Sequence, residues 1–245
     1  MRRLSVLGTC GAWPEAGRGA SGFLLEYDGF RVVLDLGYAT VPRLLERCAA
    51  VEVDAVVITH EHPDHCADLS ALGRALYYGE RRGSPMPLYC TPGVIGRVQA
   101  MEPSEDLLSV FAPHSLPADH QIGPFRLESD LLPHYVPHAG IRLTAPGLAV
   151  AYSGDAGPGP ALDRLAAGVD LFIAGATLQG EPAEGADHLL MSATEAGSWA
   201  ARTGAQRLLL THFWPGSDRE RSIAEARAAF AGEVTAADEG LTLAL

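Results

Sequence analysis

Thr59-His60-Glu61-His62-Pro63-Asp64-His65 follows directly on the apolar run Ala55-Val56-Val57-Ile58. A run rich in β-branched residues that ends abruptly in polar ones reads as a buried strand feeding a loop. A loop at a strand's end can fold back so that alternate side chains converge on one point. This loop carries three imidazoles and the Asp64 carboxylate, the usual ligands of Zn²⁺, which also suit Mn²⁺ and Fe²⁺. A lone histidine is more often a hydrogen-bonded structural residue than a ligand. Three His and an Asp in one short loop read instead as a metal site.

The rest of the chain sets the frame for that loop. Its 245 residues suffice for one large layered domain or two small ones. No apolar run approaches the roughly 20 residues that span a membrane, and Met1-Arg2-Arg3-Leu4-Ser5-Val6-Leu7-Gly8 reads as a first strand rather than a signal peptide. Cys10, Cys48, Cys66 and Cys90 are scattered without a C-x-x-C pair, which predicts a reducing, cytoplasmic compartment and no disulfide framework. Cys66, beside the His loop, reads as a small buried hydrophobe. The formal net charge of −12 opposes a long nucleic-acid footprint, because such binding rests on Lys and Arg neutralising phosphates.

Along the chain, residues 4–7 read as a strand and the Gly-rich stretch from Gly8 to Ala20 as a long turn. That stretch lacks the Lys-Ser/Thr ending of a phosphate loop. Asp28-Gly29 joins two strand-like runs into a hairpin whose second strand ends at Asp35. Helical spacing follows over residues 41–49, then the buried strand at residues 54–58. Asp68 is expected to cap a helix through Leu69, Leu72 and Leu76. Residues 83–123 carry a short strand near Pro87-Leu88 and a helix after Thr91-Pro92-Gly93, and then a weak pattern. A second hairpin over residues 140–152 ends at Ser153-Gly154-Asp155; a helix-like stretch over residues 160–167 follows, and Val169-Asp170-Leu171-Phe172-Ile173-Ala174 answers residues 53–58. Hairpin, aspartate, helix and buried strand thus occur twice in the same order, which predicts two similar halves around one active site. Ser192, with Glu195 in the capping-box position, opens a helix to Thr203. A strand at residues 208–210 ends at Thr211-His212, an amphipathic helix spans residues 222–230, and residues 241–245 form a last strand.

The loop motif His-x-His-x-Asp-His after a strand resembles the signature of the metallo-β-lactamase superfamily. Further matching pieces are Leu7-Gly8-Thr9, Leu34-Asp35-Leu36-Gly37, Tyr152-Ser153-Gly154-Asp155 and Leu210-Thr211-His212, so the resemblance covers nearly the whole chain. It implies an α/β fold, a four-layer αββα sandwich of two similar halves in a single domain over residues 1–245. Asp155 and His212 stand at strand ends and His134 just before the second hairpin; with the loop they make seven candidate ligands, enough for two divalent ions with one bridging carboxylate. The resemblance assigns them. His60, His62 and His134 hold one ion, Asp64, His65 and His212 the other, and Asp155 bridges, with Zn²⁺ foremost and Mn²⁺ or Fe²⁺ as alternatives. His138 rivals His134, but His134-Tyr135-Val136-Pro137 before Gly140-Ile141-Arg142 aligns with the family's His-Pro-Val-Pro, so His138 stays outside the scheme. His114 and His120 read as surface residues.

His188-Leu189-Leu190-Met191-Ser192-Ala193-Thr194-Glu195-Ala196 is similar to a segment of the RNase Z-like branch in which the His protonates a leaving oxygen. That branch includes small bacterial hydrolases and atypical cyclic-nucleotide phosphodiesterases. The resemblance therefore implies a phosphodiesterase acting on a small-molecule diester through a metal-bridging hydroxide, with Asp64 or Asp155 orienting the nucleophile, His188 as acid and Asp35 holding a ligand His. Lactonase, thioesterase or β-lactamase activity is the alternative, because the same chemistry attacks carbonyl carbon. A non-catalytic metal-binding protein ranks lower. So does a tRNA 3′-processing endonuclease, because only a hairpin separates His134 from Asp155. Two departures touch specificity: Gly175 stands where relatives carry an acidic residue, and Tyr135 where Pro is common. A homodimer is expected by analogy with relatives, and no membrane partner.

Overall fold

A computed structural model describes residues 1–79, 82–102, 109–180 and 188–245. In chain order the strands are β1 (Arg2–Gly8), β2 (Gly22–Tyr27), β3 (Phe30–Leu36), β4 (Ala55–Ile58), β5 (Met86–Cys90), β6 (Phe111–Ser115) and β7 (His120–Ile122). They continue with β8 (Phe125–Leu132), β9 (His138–Ala145), β10 (Leu148–Tyr152), β11 (Leu171–Gly175), β12 (Arg207–Thr211), β13 (Glu233–Ala236) and β14 (Thr242–Ala244). The helices are α1 (Val41–Leu45), α2 (Pro63–Cys66), α3 (Asp68–Tyr78), α4 (Gly93–Met101), α5 (Leu162–Leu165), α6 (Ala193–Thr203) and α7 (Arg219–Ala229). The chain divides into two compact units, Met1–Leu116 with Asp238–Ala244, and Pro117–Ala237 with Leu245.

The first unit is a mixed sheet in the order β14-β1-β2-β3-β4-β5-β6, antiparallel up to β3 and parallel from β3 to β6. Its apolar face takes Leu44 of α1, Leu69, Leu72 and Leu76 of α3, and Val94 and Val98 of α4 against Val33, Val56, Ile58 and Leu88. The i, i+3, i+7 spacing in α3 gives that helix its buried stripe. Fully burying a Leu or Val contributes about 1.5–3 kcal/mol each. The second unit mirrors the plan: order β13-β12-β11-β10-β9-β8-β7, parallel from β13 to β10 and antiparallel beyond. Its core is leaner in side chains, with Ala193, Ala196 and Ala200 of α6 and Ala226 of α7 packed near Phe172, Ala174, Leu208 and Leu210.

The internal repeat extends to single hydrogen bonds. Asp54 accepts from Arg31 N–H at 2.8 Å and returns its own N–H to the Arg31 carbonyl at 2.9 Å. Asp170 makes the same pair with Ala149, at 2.8 and 2.9 Å. Each aspartate fixes the start of the parallel strand (β4, β11) against the second hairpin strand (β3, β10). Both parallel strands therefore deliver their carboxyl ends to a defined place, where open α/β sheets commonly form their sites.

Several elements differ from their sequence reading. α1 stops at Leu45, and a separate 3₁₀ turn takes residues 50–52. Asp68 is the first residue of α3, not its cap. Its Oδ2 instead accepts from Val41 N–H at 2.8 Å, so it caps α1 from a distance. Burial raises its carboxyl pKa, against hydrogen bonds from the α1 entrance that lower it. β6, β7 and β8 fall where the pattern is weak, and α7 begins at Arg219, capped by Asp218 accepting from Arg221 N–H at 3.1 Å. Among the described residues no helix is long and apolar enough to cross a membrane.

Candidate metal centre

In the first unit every candidate ligand sits just past β4. His60 and His65 are fully buried and Asp64 nearly so, while His62 is half-buried at the N-cap of α2. The ligand atoms of His60 and His62 lie within 4.8 Å of each other, as do those of Asp64 and His65. Asp35, at the end of β3, organises them. Its Oδ2 lies 2.7 Å from His65 Nδ1, and its Oδ1 accepts from Thr59 N–H at 2.8 Å. The Thr59 hydroxyl reaches both Asp35 and His60 Nδ1, the latter at 3.1 Å. A carboxylate partner places the proton on Nδ1 and leaves the lone pair on Nε2. Asp64 Oδ2 accepts from Ala12 N–H at 2.7 Å, so the Gly-rich turn grips the loop. Gly37 permits this packing, because a Cβ there would run into the Asp64 carbonyl.

In the second unit the ligands come from separate segments and converge on one carboxylate. Asp155, which follows β10, is 4% exposed. His134 Nε2 lies 3.4 Å and His212 Nε2 3.5 Å from its Oδ2, and His138 Nε2 lies 3.5 Å from its Oδ1. Again the outer nitrogens are anchored: His134 Nδ1 donates to the Leu189 carbonyl at 3.1 Å, and Thr177 Oγ1 lies 2.8 Å from His212 Nδ1. A carbonyl only accepts, so His134 carries its proton on Nδ1. Gly175 has a reason of its own: a Cβ there would sit 2.7 Å from the Gly154 carbonyl oxygen and 3.1 Å from Asp155 Cα. A side chain at 175, acidic or not, would push the backbone that carries Asp155.

His188 precedes α6 and is half exposed. Its Nδ1 lies 3.2 Å from Glu195 Oε1. Glu195 Oε2 accepts from Ser192 N–H at 2.8 Å, while Ser192 Oγ accepts from Glu195 N–H at 3.2 Å, which closes the predicted capping box.

Backbone strain marks the same places. Among the described residues six non-glycine positions have positive φ: Ala12, Asp28, Asp35, Ala39, His188 and His212. Asp28 is the Asp-Gly turn of the first hairpin. The others lie on the segments that bear or grip candidate ligands, as expected where structure holds costly conformations for function.

The donor set fits divalent ions. Its members are imidazole Nε2 atoms and carboxylates, largely buried, with the opposite ring nitrogens of His60, His65, His134 and His212 held by oxygen partners. Each predicted ligand lies with others of its own unit: His60, His62, Asp64 and His65 in the first, His134, Asp155 and His212 in the second. His138 differs from its sequence reading, because it is fully buried and faces Asp155. It is the first residue of β9, which begins two residues before the hairpin pattern is legible. His114 is exposed and stacks on Tyr89, and His120 is half-buried. Cys66 is a buried thiol whose Sγ donates to the Glu61 carbonyl. Burial first, and then the Asp35 charge, push its pKa up to about 12. Thr59 and Thr177 are legible as residues but not as partners of the ligands, nor is Glu195 as the partner of His188. The repeated Thr-His at residues 59–60 and 211–212 points to the wrong threonine in the second case, since Thr177 is the residue beside His212.

Residues 30–213 match the family model described as a beta-lactamase superfamily domain. The chain is 34% identical to protein Rv1339 of Mycobacterium tuberculosis, over 96% of this chain and 89% of that one. It is 28% identical to ribonuclease Z of Thermobifida fusca, over 100% of this chain and 95% of that one. The crystal structure of the metallo-beta-lactamase fold protein YhfI from Bacillus subtilis superposes with a TM-score of 0.88 at 26% identity, covering 99% and 98% of the two chains. Two mixed sheets flanked by helices, and carboxyl strand ends lined with His and Asp, are what these relationships account for. The chain belongs to the beta-lactamase superfamily, in the metallo-hydrolase branch that includes ribonuclease Z and YhfI.

Proposed function

We propose that the chain is a binuclear metal-dependent phosphodiesterase acting on a small diester, of which a cyclic nucleotide is the first candidate. His60, His62 and His134 would hold one ion and Asp64, His65 and His212 the other, with Asp155 shared. Two divalent ions, Zn²⁺ first, would supply Lewis acidity and lower the pKa of a water towards neutrality.

The observation that carries the phosphodiester reading is His188 held by Glu195. An imidazole in hydrogen-bond reach of a carboxylate, half exposed and close in sequence to the Leu189 carbonyl that anchors His134, would give a proton to a departing alkoxide. Asp155 and Asp64 would orient the attacking water, and Asp35 keeps the His65 tautomer. The relation to ribonuclease Z, named as a ribonuclease, supports phosphorus rather than carbonyl carbon. The β9–β10 hairpin fills the segment between His134 and Asp155, and the chain's net charge is −12, so the reading favours a small diester over tRNA. The four free cysteines support a cytoplasmic setting.

The test is hydrolysis of bis(p-nitrophenyl) phosphate and 3′,5′-cyclic AMP by metal-quantified protein, with Zn²⁺ and Mn²⁺ compared. Turnover of both is expected, lost on chelation and restored by metal. His188→Ala should slow the cyclic nucleotide, whose leaving alkoxide needs a proton, by roughly 10²–10⁴, and the p-nitrophenyl ester far less. Inertness towards diesters with two ions bound, together with turnover of a lactone or thioester, would replace this reading with a carbonyl hydrolase.

A further inference from the structure

Five large aromatic side chains are exposed among the described residues: Trp13, Tyr38, Tyr78, Tyr135 and Trp214. Four of them stand on the segments that bear or grip candidate metal ligands. In the second unit Tyr135 follows His134, with ring centroids 5.3 Å apart, and is 65% exposed. Trp214 comes two residues after His212 and is 42% exposed, on a turn closed by Ser217 N–H donating to the Trp214 carbonyl at 2.9 Å. The first unit repeats the pattern independently. Trp13 follows Ala12, whose N–H holds Asp64, and Tyr38 follows Gly37, which packs on the Asp64 backbone.

Tryptophan is highly buried on average, so exposed aromatics gathered on ligand-bearing turns ask for an occupant. Residues 11–14, 37–39, 133–137 and 212–217 contain no Lys or Arg. They offer flat apolar faces and no cations, which does not suit a polyanion. It suits a ligand whose single phosphate is met by the metal ligands and whose remainder is neutral and planar.

We infer that Tyr135 and Trp214 are specificity-determining residues that stack on the base of a mononucleotide substrate. Aromatic faces with two side-chain torsions lose little entropy when they bind, and stacking tolerates any base. The inference deepens the phosphodiesterase reading and rests on it for the identity of the site.

Equilibrium titration of the metal-loaded protein with adenosine 5′-monophosphate tests it, with ribose 5-phosphate as the baseless control. The chain has three tryptophans, and Trp199 lies under the Arg202 guanidinium, 4.8 Å from ring centroid to Cζ. Quenching of tryptophan emission by the adenine ring, and affinity about five- to a hundredfold above ribose 5-phosphate, are expected. Trp214→Leu and Tyr135→Leu should each remove most of that preference and leave ribose 5-phosphate affinity and metal content unchanged; Tyr135→Leu keeps the fluorescent reporter. Equal affinity for the two ligands, or variants that keep the preference, would overturn the inference. So would loss of self-association in the variants with nucleotide binding intact, which would mark the aromatics as an interface between copies. Diester turnover without base preference sinks this inference alone. Base preference without diester turnover sinks the hydrolytic reading alone.

Discussion

Asp35 and Asp155 stand near the ends of corresponding hairpins but not at corresponding positions. By strand register Asp35 answers Ser153, whose Oγ accepts from Gly175 N–H at 3.1 Å as Asp35 accepts from Thr59 N–H, and Asp155 lies two residues further on. Asp35 turns its oxygens to Thr59 and to the Nδ1 of His65, the side of the ring away from a metal. Asp155 turns its oxygens to the Nε2 atoms of His134, His138 and His212, the nitrogens through which His134 and His212 would hold one. The first unit keeps its ligands on one loop and needs an aspartate to set them. The second draws its ligands from separate segments and uses the aspartate as their common point. The duplicated scaffold thus keeps a hydrogen-bond acceptor at the corresponding positions 35 and 153, and the second unit carries its candidate ligand two residues beyond.

That contrast can be broken by experiment. The largest effect is expected for Asp155→Ala. Metal content should fall below two ions per chain and turnover drop by at least about a thousandfold, several kcal/mol at about 1.4 kcal/mol per decade. Asp35→Asn should lower metal affinity or turnover by roughly 10–100-fold, the usual loss for a residue that orients a ligand. If the two variants were equally damaged in metal titrations, the division of labour would be wrong. His138→Leu sharpens the second half of the comparison. As a neighbour of Asp155 rather than a ligand it should weaken metal binding by about tenfold, clearly less than His134→Ala does; a loss equal to that of His134→Ala would make it a ligand. The smallest effect concerns Cys66. A thiol with its pKa raised to about 12 stays protonated at pH 8, so a disulfide reagent should leave it unlabelled in the native protein and label it after unfolding.

The two regions were also unequally legible. The His60–His65 loop is contiguous, so its chemistry stands in the sequence without any fold. Asp155 and His212 could be picked out because each ends an apolar strand, and His134 only through the family motif. His138 shows what was hidden: its ring faces Asp155 because β9 starts at that residue, and strand starts are not marked by composition. α6 is legible to the residue, with Ser192 and Glu195 marking its start, and the structure closes it with Gly204 at φ 69°. α7 starts three residues before its apolar pattern, because Arg219-Glu220-Arg221 carries no apolar signal and only the Asp218 cap marks the start. β8 was missed although its burial alternates, because Glu128, Ser129 and Asp130 interrupt the apolar pattern with polar residues, one of them buried.

Glu195 holds one further lesson. One carboxylate oxygen closes the first turn of α6 while the other holds His188. A good cap contributes about 1 kcal/mol to a helix, so most replacements at this position confound a folding defect with a chemical one, and selection for either trait protects both. Glutamine is the exception: it satisfies a capping box as glutamate does, yet it brings no charge to an imidazole. A fold that merges two tasks in one side chain thus leaves a single amino acid able to tell them apart.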